Sequence, residues 1–260
     1  MNPELVLLVG LVGFVVSTLS GWLGIGGGIA MAPALLYLPP LLGAGELDMR
    51  AVAGLTIVQA LAACLFAGLR HNRYRFVSRR LVAVMGPGIF ASSLVGALLS
   101  KHVSNGALLA LFAALALPAA GLMLLPLPRE DAEVAAEEIA FSSPFGAAIA
   151  VVVGFLGGMV GQGGSFILIP LMLYVLRVPT RVTIGSNLGI VFFSSVAGLI
   201  GKASTGQIAL WPAVALVLGA VPGALLGSHL SKRTRPRFLR YGLAAVVGLT
   251  TLRICWQLVA

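Results

Sequence analysis

No aspartate or glutamate lies within any of ten apolar stretches that together make up most of this 260-residue chain. A hydrocarbon core is crossed by about 20 consecutive apolar residues in a helix. By that measure the first half contains Leu5–Ser20, Ile29–Leu42, Arg50–Leu69, Arg80–Ser100 and Gly106–Leu125. The second contains Phe145–Met159, Phe166–Leu176, Arg181–Gly201, Leu210–Ser231 and Phe238–Leu258. Charged residues are only 10% of the chain, against about a quarter in soluble domains. The expected class is an all-α integral membrane protein.

The net charge of +9 does not indicate a nucleic-acid partner. Ten of the seventeen basic residues sit in two short loops, Arg70–Arg80 and Lys232–Arg240, and basic loops beside apolar spans are topology signals. The N-terminal MNPELVLLVG lacks the cationic region and cleavage site of a secretory signal, so it is read as part of the mature protein. Cys64 and Cys255 lie in separate apolar stretches without ligand spacing. Neither a disulfide framework nor a metal site follows, and no cofactor is expected.

Within the apolar runs, the stretch GWLGIGGGIAMAP at Gly21–Pro33 occurs again as GMVGQGGSFILIP at Gly158–Pro170. Gly21, Gly24, Gly26, Gly27, Pro33 and Tyr37 fall on Gly158, Gly161, Gly163, Gly164, Pro170 and Tyr174. An interior helical glycine costs about 1 kcal/mol relative to alanine. The chain is therefore expected to break a membrane helix twice, at equivalent places. Paired Gly/Pro-interrupted segments are the best sequence pointer to a transporter's binding site. Gly88, Ser92 and Gly96 similarly match Gly219, Gly223 and Gly227. Their four-residue spacing lines one helix face, suited to close packing of backbones in lipid.

These correspondences divide the chain into a first membrane repeat (1–126), a polar cytoplasmic linker (127–143) and a second membrane repeat (144–260). The linker region holds five of the eight acidic residues. The basic loop follows the third segment in the first half and the fourth in the second, so the positive-inside rule orients equivalent segments oppositely. The expectation is an inverted-topology repeat with glycine-broken helical hairpins and both termini periplasmic. Whether the broken pairs cross fully or re-enter is left open.

A helix N-terminus exposes unpaired N–H groups and about half a positive charge. Two such ends meeting near the midplane form a site for a small anion. The candidates are Gly24, Gly26, Gly27 and Gly28 from the first break, and Gly161, Gln162, Gly163, Gly164 and Ser165 from the second. Polar residues inside the following spans join them: Thr56, Gln59, Ser186 and Asn187. No phosphate-binding fingerprint is met by GIGGG, which lacks both a preceding strand and a following acidic residue. An intramembrane serine protease would need a histidine within reach of Ser165. His229, the candidate in that half, belongs to a basic interfacial helix end, so no enzyme is expected. The absence of membrane carboxylates argues against a proton relay.

The duplicated glycine break followed by proline, the RVTIGSNLGIVFFSSVAGLIGKASTGQI stretch and the GAVPGALLGSHLSKR segment together resemble the TauE/SafE sulfite-exporter family, also called the toluene sulfonate uptake permeases. The resemblance covers nearly the whole chain. It implies a bacterial inner-membrane permease for sulfite, sulfonates or related small organic anions. It carries the glycine motifs onto Gly24–Gly28 and Gly161–Ser165, and a small-polar signature onto Ser186 and Asn187. The first-half counterpart reads AGLTIVQ, with Leu55 where a small polar residue is usual. The expected function is transport of a small anion by alternating access around a midplane site. An anion channel and a non-transporting scaffold are the alternatives. Lipid bilayer and anionic substrate are the expected partners, and a homodimer is left open.

Overall fold

The computed structural model describes residues 3–26, 28–125, 136, 139, 141–161, 164–235, 238, 239, 241–243, 245, 246, 248 and 249. Among them the ordered elements are helical, with no strand. They run α1 Pro3–Leu23, α2 Gly28–Leu41, α3 Met49–Arg73, α4 Arg79–Leu99, α5 Asn105–Leu124, α6 Ser143–Val160, α7 Ser165–Pro170, α8 Thr180–Ser204 and α9 Leu210–Arg233. A 3-10 turn, Ser100–His102, extends α4, and a π-helical turn, Leu171–Val175, extends α7. The π turn follows Pro170, whose ring removes one helical donor, and the bonding pattern widens there. Most of the linker lies outside the described residues.

Seven of these helices are long and apolar enough to cross a membrane; α2 and α7 with its π turn are shorter apolar pieces. The chain is a multi-pass membrane protein. Polar side chains close several helix starts: Asp48 accepts from Ala51 N–H at 2.8 Å at α3, and Ser104 from Ala107 N–H at 3.2 Å at α5.

Burial identifies the centre of the bundle. α3 and α8 have 67% of their apolar window buried, against 28–44% for the other five long helices. They run antiparallel, with Gly68 beside Leu188 and Gly198 beside Ile57. Around this pair, α1 lies parallel to α9, with Gly10 beside Ala215 and Gly21 beside Ala224 and Ser228. α4 lies parallel to α6, with Gly88 beside Val151 and Gly96 beside Phe155 and Met159. A Cβ on Gly96, Gly158, Gly219, Gly223 or Gly227 would strike the main chain of the facing helix. Gly21 and Gly158, which open the two repeated motifs, thus lie inside α1 and α6 as packing positions, and the helices end after them. In lipid, where apolar side chains gain nothing by leaving the solvent, this approach of backbones supplies the contact.

The two basic loops meet at one end of the bundle. Lys232 Nζ lies 4.7 Å from the centre of the Tyr74 ring, and the Arg181 guanidinium 5.2 Å from that of Phe76. At the other end, Arg50 Nη2 donates to Val103 O at 2.8 Å and Asn105 Nδ2 to Asp48 Oδ2 at 3.3 Å.

Candidate functional site

α1 stops at Leu23, and Gly24 takes a left-handed backbone with φ +71 while its N–H still bonds Ser20 O at 2.7 Å. α6 stops in the same way: Gly161 has φ +81 and its N–H bonds Gly157 O at 2.9 Å. L-residues lose about 1–2 kcal/mol in that conformation. Space imposes the same choice, since a Cβ on Gly161 would meet the main chain of Ala53 in α3, and one on Gly24 would meet Ile184 in α8. Gly26 and Gly164 are also left-handed, and Gly28 opens α2. Gly27, Gln162 and Gly163 lie outside the described residues.

From these ends the chain turns inward and the two segments touch. Ser165 Oγ donates to Ile25 O. A Cβ on Gly26 would lie 3.1 Å from Ser165 Cβ and Oγ and 3.3 Å from Val191 of α8. Asn187 Nδ2 donates to Gly24 O at 2.6 Å, pinning the first segment to α8. Ser165 and Asn187 have no solvent exposure. The fold thus brings Gly24, Gly26, Ser165 and Asn187 into one junction. Gly161 and Gly164 stand on its other flank, against α3 and against Val153 of α6.

The remaining candidates have different partners. Gln59 Nε2 donates to Ser17 Oγ of α1 at 2.8 Å. Thr56 Oγ1 donates to Val52 O of its own helix at 2.7 Å. Ser186 Oγ accepts from Ser78 N–H at 2.8 Å and so holds the start of α4. Asn187 Oδ1, Gln59 Oε1, and the hydroxyls of Ser20 and Ser195 are buried without a partner among the described residues.

Three polar features escape a reading of the sequence. Ser17 supports Gln59; Ser194 Oγ donates to Ser93 Oγ at 2.9 Å across α4 and α8; and Lys202, one residue beyond the expected span, has no solvent exposure. The serines could have been found as polar positions in otherwise apolar runs. Lys202 gives no such signal, because a lysine at a span end reads as a loop charge.

The hydroxyl proton of Ser165 points to a carbonyl. No cluster of three His, Cys, Asp or Glu residues that could hold a metal ion occurs among the described residues. A separate apolar groove of about 970 Å³ lies between α3, α4 and α8, lined by Leu65, Leu69, Val82, Phe90 and Phe193 among others. It contains none of the candidate residues, and Leu69 and Phe193 face outward, where acyl chains would lie.

The family model of the sulfite exporter TauE/SafE matches residues 9–254. The chain belongs to the TauE/SafE family. It is similar over nearly its whole length to proteins named as probable membrane transporters. It is 27% identical to YunE of Bacillus subtilis, over 94% of this chain and 95% of that protein. It is 26% identical to YjnA of the same organism, over 94% and 97%. It is 23% identical to MJ0441 of Methanocaldococcus jannaschii, over 93% and 92%. No solved structure matches. The TauE/SafE match spans both glycine breaks and all of α3, α4, α8 and α9, so the residues at the junction fall within it. The chain is a membrane transporter of this family.

Proposed function

We propose that the protein carries small oxyanions, sulfite and sulfonates first among them, by alternating access around the junction of the two glycine breaks. The observation that carries this reading is the junction itself: Ser165 Oγ on Ile25 O and Asn187 Nδ2 on Gly24 O. Two buried neutral donors are parked on carbonyls of the unwound chain. An oxyanion arriving there takes both donors in exchange, with the N-terminal turns of α2 and α7 behind them. No cationic side chain has to enter the site. Gly28, Gly161 and Gly164 provide its backbone; Gly27, Gln162 and Gly163 are candidates for it from the sequence repeat alone. Thr56, Gln59 and Ser186 are its surround.

Paired glycine contacts support an inverted repeat. Gly24 against Ile184 corresponds to Gly161 against Ala53, and Gly54 against Gln207 to Gly185 against Phe76. Gly21 against Ala224 corresponds to Gly158 against Ser93, and Gly96 against Met159 to Gly227 against Trp22. The gathering of both basic loops at one end supports placing that end in the cytoplasm of an inner membrane, with both termini periplasmic. With a potential of about 100 mV, negative inside, each negative charge leaving gains about 2.3 kcal/mol, roughly a fifty-fold gradient. Export of a monoanion therefore runs without a coupling ion.

The test is sulfite and sulfonate flux in proteoliposomes under an imposed potential. Flux should follow the potential and show saturable counterflow, which a channel lacks. A hydrogen bond to a charged group contributes about 1.5–3 kcal/mol. Asn187→Ala should therefore slow flux about tenfold or more, whereas Thr56→Val, whose hydroxyl bonds its own helix, should stay within about twofold. Absence of flux for every small anion overturns the proposal.

A further inference from the structure

Lys202 is the most unusual residue outside the junction. It lies in the last turn of α8 with no solvent exposure. Its ammonium donates to Ser100 Oγ at 3.0 Å, Gln207 Oε1 at 3.2 Å and Met159 O at 3.4 Å. Every partner recorded among the described residues is a neutral oxygen. Burying a charge is expensive unless an opposite charge accompanies it, and an intramembrane ionisable group is a functional-site hypothesis by default. The lysine therefore stands as a buried ammonium whose partners among the described residues supply no countercharge.

The surroundings of the ammonium are polar. Gln207 Nε2 donates to Ser100 Oγ at 3.2 Å and to Thr205 Oγ1 at 2.7 Å, and its backbone N–H closes the turn on Lys202 O at 2.9 Å. The turn that follows Lys202 reaches the surface: Ser204 is exposed, and Gly206 is left-handed with open space beside it. Below it, Met159 lies two positions before the left-handed Gly161. The other half repeats the placement. His71, at the same position from the end of the equally long α3, is buried and its Nε2 lies 3.3 Å from Gly21 O, just before Gly24. His71 Nδ1 has no hydrogen-bond partner among the described residues. Each break is thus approached past a buried nitrogen base.

We propose that Lys202, with Gln207 and Ser100, is a second anion-binding station, through which a small oxyanion passes between the α8–α9 turn and the Gly161 break. The anion replaces Met159 O, the most distant of the three acceptors, and the Gln207 amide turns its N–H toward it. This rests on the anion-transport reading above, which the station completes at the mouth remote from the basic loops.

Two variants test it. Lys202→Gln removes the charge. Gln207→Glu keeps the packing and supplies the missing countercharge from within the protein, so it remains informative if the first variant does not fold. Sulfite flux is measured in right-side-out and inside-out membrane vesicles, and thermal stabilisation by sulfite on purified full-length protein. Both variants should raise the KM for sulfite about tenfold from the Lys202 side, with less than twofold change from the opposite side. Gln207→Glu should abolish most of the stabilisation by sulfite. A purely structural lysine predicts a lower melting midpoint with KM unchanged from both sides, and that result overturns the station. If sulfite stabilises the wild type but not Gln207→Glu, and no anion crosses the membrane, anion binding at Lys202 stands, while passage through it and the transport reading fall. If sulfite neither stabilises nor crosses in the wild type, both fall.

Discussion

Gly161 shows how a single residue serves two requirements at once. Its φ of +81 disfavours any side chain, and the backbone of Ala53 occupies the place a Cβ would take. Gly43 separates the two effects, because it is also left-handed, φ +68, with nothing within 4 Å of its added Cβ. Gly43→Ala should cost only the conformational term, about 1–2 kcal/mol. Gly161→Ala must in addition displace α3, at about 1–3 kcal/mol for an overpacked contact. Its thermal midpoint in detergent should therefore fall about twice as far; equal shifts would mean that α3 yields freely. At this scale the sequence was informative about which glycines matter and less so about why. The repeated motifs begin at Gly21 and Gly158, yet the helices run on to Leu23 and Val160. The first glycines serve packing, and the turn begins only at the left-handed ones. Partner choice was not legible at all. That Ser186 ties α4, Asn187 ties Gly24 and Lys202 lies buried depends on which helices become neighbours, and no local pattern records that.

The helices themselves were largely legible from apolar length, including the two short ones. Their ends were not. α3 continues to Arg73 and α8 to Ser204, past the points where charge suggested a stop, because long basic side chains find carbonyls and rings at the bundle ends: Arg70 Nη1 reaches Leu225 O, and Lys202 reaches Met159 O. Which helix packs on which was equally hidden, since small-residue faces on α1, α4, α6 and α9 are interchangeable by composition. The parallel α1–α9 pairing can be checked directly. An ideal Cβ on Gly10 lies 3.7 Å from Ala215 Cβ, within the usual range for a disulfide. With Cys64 and Cys255 replaced by alanine, the Gly10→Cys/Ala215→Cys chain should cross-link quantitatively under mild oxidation. Failure to cross-link would reject this packing.

For the molecule as a whole, the proposed inverted insertion of the two halves makes a prediction about sidedness. Leu42, 65% exposed in the turn after α2, and the exposed Asn72 at the end of α3 lie at opposite ends of a central helix. Single cysteines at these positions in the same cysteine-free background should react with an impermeant thiol reagent from opposite faces, Leu42→Cys from the periplasm and Asn72→Cys from the cytoplasm. Labelling of both from one face would remove the basis for the inverted insertion.

The α1–α9 contact also bears on how the protein is made. α1, Pro3–Leu23, is synthesised well before the surface it fits, Leu210–Arg233. Until α9 is made, the side of α1 at Gly10, Gly13 and Gly21 lacks the helix that it packs against. A chain halted before Leu210 therefore leaves the small-residue side of α1 without the helix that it fits, and the arrival of α9 covers it.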